Sequence, residues 1–142
     1  MSYEIKKVDV WSAEISDQPG SLANVIQPLA ESGANLKFLL ARRTTEGKGV
    51  VFVSPIEGQG VIKKAKSLNF KKNDGISAVQ ITGPDKPGLG AKILQSIALG
   101  GINIRGISAS ATGKNCTIWI AFDNTKDANK ALKLIENALS KK

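Results

Sequence analysis

Apolar residues recur at helical spacing in two stretches, Leu22, Val25, Ile26, Leu29 and Ala30, then Leu89, Ile93, Leu94, Ile97 and Ala98. Such recurrence puts an apolar stripe on one face of a helix. Each stripe runs up to a glycine, Gly33 or Gly101, the residue that best tolerates the left-handed backbone after a helix. Pro28 sits late in the first stripe, where it removes a hydrogen bond and is expected to kink or shorten that helix. Ser96, at the matching place, predicts no such effect, so the two helices should differ. Helical patterns also cover about 59–68 and, more strongly, 126–139, where Ala128, Ala131, Leu132, Ile135 and Leu139 align. Asn124 or Thr125 can cap the latter.

Strand-like patterns fill the intervals. Residues 8–16 (VDVWSAEIS) alternate, with a slip of phase after Trp11, and 76–82 (ISAVQIT) form their counterpart. Residues 35–44 and 48–54, joined by Thr45-Glu46-Gly47, read as a hairpin, as do 103–111 and 115–122 around Gly113. Val50 to Val53 and Ile118 to Phe122 are apolar without alternation, which predicts strands covered on both faces. Helices cover one face, so something else must cover the other. Asp74-Gly75 is a two-residue hairpin signal leading into 76–82.

These patterns are duplicated. Displacing the chain by 68 lays Asp17-Gln-Pro-Gly20 on Asp85-Lys-Pro-Gly88, and 10 of 37 positions between 17 and 53 coincide without a gap. Chance gives roughly two or three at average composition. Gly33, Asn35, Ala41 and Thr44 fall on Gly101, Asn103, Ala109 and Thr112. The chain therefore divides into units 1–73 and 74–142. Units of about 65–70 residues have marginal private cores and are expected to pack on each other or on a second chain. The second unit ends at its last helix, and residues 2–8 are the candidate for its missing strand.

Charge and composition narrow the function. A net charge of +8 raises nucleic acid or acidic surfaces as partners, but the lysines are dispersed as expected for solvated helix faces. With no histidine and one cysteine, the chain has no ligand set for structural zinc and no serine–histidine nucleophile pair. No cofactor and no metal are expected. Paired carboxylates stay formally open, but only Asp17 and Asp85 recur in both copies. A lone Cys116 makes no internal disulfide, which points to a reducing compartment, and it reads as a small core residue. No leader and no apolar run of membrane length is found, so a soluble cytoplasmic protein is expected.

Strand-helix-strand-strand-helix-strand, read twice, is the ferredoxin-like α+β sandwich: an antiparallel sheet with helices on one face. Acid-x-Pro-Gly at the first turn, with Gly-x-Asn-[Leu/Ile] opening the second strand, resembles the ACT domain in both copies. That resemblance implies a non-catalytic regulatory module that binds an amino acid and acts by ligand-dependent assembly or on a partner enzyme of amino-acid metabolism. It also implies a homo-oligomer, in the simplest case a dimer. In the family the first turn and helix start of one unit face the second-strand start of another. Carried over, the ligand-binding residues are Asp17, Gln18, Pro19, Gly20, Ser21 and Asn35, and Asp85, Lys86, Pro87, Gly88, Leu89 and Asn103. Gly90 stands where the first copy has Leu22, and Lys86 replaces Gln18, so the two sites are not expected to be equivalent.

The residues themselves fit this chemistry. A helix start offers unpaired N–H groups and a positive dipole end to a carboxylate, glycine allows close approach, and an acid can balance an ammonium. They equally fit plain helix caps, with proline near the first helical position. Two alternatives stand beside the regulatory reading. One is an RNA-binding module, since Lys48-Gly49-Val50-Val51-Phe52-Val53 resembles the stacking strand of an RNA-recognition motif, with only Phe52 placed to stack. The other is an assembly module without a ligand.

Overall fold

The computed structural model describes residues 3–72 and 77–140. Strands are β1 (Glu4–Val8), β2 (Trp11–Ser16), β3 (Phe38–Arg43), β4 (Lys48–Ser54), β5 (Lys71–Lys72), β6 (Ser77–Pro84), β7 (Gly106–Thr112) and β8 (Asn115–Phe122). Helices are α1 (Ser21–Glu31), α2 (Gln59–Ser67), α3 (Leu89–Leu99) and α4 (Thr125–Ser140). The Asp74-Gly75 hairpin signal lies outside the described residues. No helix among them is long and apolar enough to cross a membrane.

Two compact units result, each a four-stranded antiparallel sheet with two helices on one face. One sheet runs β3-β4-β2-β5, the other β7-β8-β6-β1. These are ferredoxin-like sandwiches. In the first, register sets Trp11 opposite Val53 and Ala13 opposite Val51. That face meets Leu29 of α1 and Val61 and Ala65 of α2 in one core. In the second, Val79, Ile81, Ile118, Ile120 and Phe122 meet Ile93 and Ile97 of α3 and Ala128, Ala131 and Ile135 of α4. On the opposite faces Ala78 and Trp119 are buried too, while Val50 and Phe52 are half-buried.

The fourth strand of the second sheet is β1, within the residues 2–8 expected to supply it, and that of the first sheet is β5. β1 precedes β2 yet pairs with β6, and β5 precedes β6 yet pairs with β2. Lys6 and Lys7 face Gln80 and Val79, as Lys71 and Lys72 face Ser12 and Trp11. Ile5-Lys6-Lys7 and Phe70-Lys71-Lys72 thus occupy equivalent positions. The phase slip in 8–16 follows from this: Val8 ends one strand and Trp11 begins another, in a different sheet.

Two expectations need correction. Pro28 does not shorten α1, which continues to Glu31 and has 11 residues, as does α3. In the last turn, proline removes one donor while Ser32 N–H still reaches the Pro28 carbonyl at 3.0 Å. The copies are also not collinear through residue 53. Val51 and Val53 sit where Ile118 and Ile120 sit, an offset of 67, because the second hairpin is one residue shorter. The slip conserves which side chains face the core and pairs Phe52 with Trp119 on the other face. Of the two cap candidates for α4, Asn124 is the one that serves: its Oδ1 accepts from Asp127 N–H at 2.7 Å.

Both first helices end alike. Gly33 (φ 106°) and Gly101 (φ 74°) take the left-handed backbone. Ala34 N–H returns to the Leu29 carbonyl and Ile102 N–H to that of Ile97. These are paired Schellman closures, as the glycine positions predicted.

Candidate functional site

Each acid-x-Pro-Gly turn joins the end of a first strand to the start of a helix. Asp17 N–H donates to the Gly47 carbonyl at 3.0 Å and Asp85 N–H to that of Lys114 at 2.8 Å, fixing each turn beside the hairpin of its own sheet. Gln18 and Lys86 accept from Ser21 and Leu89 N–H, both at 3.2 Å. Pro19, Gly20, Pro87 and Gly88 are exposed. Gly20 (φ 86°) and Gly88 (φ 82°) precede the helices in the left-handed region, and neither helix has a side-chain cap. The carboxylates therefore do not serve as helix caps. Leu22 and Ala23 N–H, and likewise Gly90 and Ala91 N–H, have no hydrogen-bond partner among the described residues. Two open donors at a helix start, with an acid in the turn that leads to it, suit a zwitterion's two charges.

Beside the first turn lies a depression of about 360 Å³, with Ile15, Leu22 and Ala41 as its apolar lining and Ser16, Asp17, Gln18, Ser21 and Arg43 among its polar groups. Asp17 Oδ2 is 2.6 Å from Arg43 Nε. Ser21 is half-buried and its hydroxyl is 2.6 Å from that of Ser16.

The second turn is built differently. In the register of its sheet Ala111 stands where Arg43 stands, so Asp85 has no ion pair among the described residues. Instead the Tyr3 hydroxyl donates to the Pro84 carbonyl at 2.7 Å, with Cys116 Sγ 3.8 Å from the same oxygen. Burial, and then the nearby Cys116 and Asp85, push the Tyr3 phenol above its usual range. Burial, and then Asp85, push the Cys116 thiol up. A thiol so held is a poor nucleophile. Leu89 is buried in the core, so only its backbone can face a ligand.

Asn35 and Asn103 are exposed and lie at the far end of their units. Lys37 N–H bonds the Ser54 carbonyl and Arg105 N–H that of Ala121, at the sheet ends opposite the turns. Within one unit, then, the asparagine and the turn cannot share a ligand. Near Asn35 a second depression of about 400 Å³ is lined by Ile26, Ala30, Ala34, Leu36 and Lys37. Ile102, buried, takes the place of Ala34 in the second unit. No cluster of three or more potential metal-ligating side chains occurs among the described residues. Arg43 and Tyr3 were missed from sequence. Arg43, like Arg42, could have been found as a basic position beside the turn whose counterpart in the second copy is neutral.

The fold has clear relatives among solved structures. The regulatory subunit of aspartate kinase from Thermus thermophilus, in a ligand-free form, is similar over 96% of this chain and 95% of its own, with TM-score 0.65 and 21% identity. Protein BT0572 from Bacteroides thetaiotaomicron matches 95% of this chain and 89% of its own, with TM-score 0.75 and 21% identity. Aspartokinase III of E. coli, in complex with aspartate and ADP, matches 99% of this chain with 33% of its own, at TM-score 0.61 and 17% identity. No family model matches the sequence, and no curated protein does.

Proposed function

We propose, from a fold that is that of paired ACT-type regulatory domains, that this chain is a non-catalytic module that binds an amino acid and regulates through it. The observation that carries this reading is the repeated turn. Twice, a left-handed glycine opens a helix, leaves two N–H groups without a partner among the described residues and follows an acid three positions earlier that does not cap the helix. An ordinary cap would have used the acid on those donors. The ligand's carboxylate would take the helix start, and Asp17 or Asp85 its ammonium. Asn35 or Asn103, being at the far end of its own unit, would serve a turn of a second copy.

Self-assembly fits the surface as well. Leu39 and Ile107, at equivalent places on edge strands β3 and β7, are 44% and 50% exposed. A homodimer would cover them. Similarity to a regulatory subunit of aspartate kinase supports an enzyme of amino-acid metabolism as what is regulated.

A thermal-shift screen of the twenty amino acids tests the reading. Binding to the folded state alone stabilises by RT ln(1 + [L]/Kd), about 2.7 kcal/mol at a hundredfold excess over Kd. At least one amino acid should raise the melting temperature, and that rise should shrink in Asp17→Ala or Asp85→Ala. A full rise in both variants would place the ligand elsewhere, and no rise with any amino acid would remove the sensing role.

A further inference from the structure

The two turns carry the same acid in different company, and we infer that Arg43 makes them unequal by competing with the ligand's ammonium for Asp17. This inference rests on the amino-acid-binding reading above. Its ground is local. Arg43 Nε lies 2.6 Å from Asp17 Oδ2 at the rim of the depression beside the first turn. Arg43 is the cation paired with Asp17 among the described residues, and a ligand ammonium would compete with it for that carboxylate.

The second copy has Ala111 at the equivalent position, opposite Cys116 as Arg43 is opposite Gly49. Asp85 accordingly keeps its carboxylate free of any ion pair among the described residues, and an ammonium meets no competitor there. A carboxylate-only ligand asks nothing of either acid. The first depression should therefore distinguish an amino acid from its deaminated acid poorly, and the second turn should do so well. Arg43 is a specificity-determining residue, acting through Asp17.

The size of the effect follows from exposure. The Arg43 side chain is 74% and that of Asp17 37% exposed, so the pair is a solvent-screened one. Exposed pairs contribute up to about 1 kcal/mol, so removing Arg43 should tighten ammonium binding by about 1.5- to fivefold. The gain should shrink as salt rises, because screening weakens the competitor.

Calorimetry in an Asp85→Asn background isolates the first turn. The probes are the amino acids paired with their deaminated acids: alanine with propionate, valine with 3-methylbutanoate, aspartate with succinate. Arg43→Ala and Arg43→Gln should both tighten the amino acid and leave the deaminated acid unchanged. Equal or weaker binding of the amino acid, or an equal gain for both probes, overturns the inference. If the protein with Asp85 intact binds an amino acid and the first turn stays silent in all Arg43 forms, the inference fails while the sensing role survives at the second turn. Silence in every variant refutes both.

Discussion

Replacing Gly88 and Gly90 by alanine, one at a time, makes the same chemical change two residues apart with opposite expected signs. Gly88 stands at φ 82° before α3, with nothing within 4 Å of an added Cβ. Its cost is therefore purely conformational, about 1–2 kcal/mol for a side chain in the left-handed region. Gly90 is the second residue of α3, outside that region, and an added Cβ there also meets nothing within 4 Å. Alanine at that site lowers the entropy of the unfolded chain and should stabilise by about 0.4–1 kcal/mol. The two variants should thus differ by about 1.5–3 kcal/mol. Native-state amide exchange in the centre of β6 and β8 reads this unit by itself, which avoids assuming that both units unfold together. Gly20→Ala, at φ 86°, repeats the test at the first turn. If Gly88→Ala and Gly90→Ala shift stability in the same direction, the helix does not begin as described and its two open donors are misplaced.

Three further outcomes follow. Asp85→Ala should leave stability nearly unchanged, because that carboxylate caps no helix and pairs with no cation among the described residues, and Asp17→Ala should lose at most about 1 kcal/mol with its exposed ion pair; chemical denaturation checks both. Tyr3 and Cys116 are held above their usual pKa ranges in the folded state, so their contribution is complete at neutral pH and is lost as pH rises through those raised values; the unit containing β6 should lose stability above about pH 9, and Tyr3→Phe with Cys116→Ser should flatten that fall. The chain of about 15 kDa should sediment at twice that mass or more at micromolar concentration, and a monomer with and without ligand would reject the assembly proposal.

Much of this architecture is written in periodicity. The stripes ending at Gly33 and Gly101 set α1 and α3 nearly to the residue, because a left-handed glycine closes each with the same pair of backbone bonds. Two features escaped for definite reasons. Pro28 reads as a helix breaker, yet one missing donor is a small loss to a helix whose next residue, Leu29, is fully buried. The one-residue slip between the hairpins is invisible to an ungapped comparison, since Val, Ile and Trp are apolar on either face. Only pairing with β2 and β6 fixes which side chains turn inward. At the turns, the sequence placed the acids and glycines but could not decide between cap and ligand. Whether the acid caps the helix depends on where its carboxylate points, and Asp17 points to Arg43, a residue 26 positions away in the chain.

The most direct test of the central claim is to follow the backbone amides by NMR while the most stabilising amino acid is added. Leu22 and Ala23, or Gly90 and Ala91, should move first and furthest, saturating together with the thermal shift. Their change should be reduced in the aspartate variant of the same turn. Saturable shifts confined to other parts of the two sheets, or no saturable shift with any of the twenty amino acids, would contradict the account.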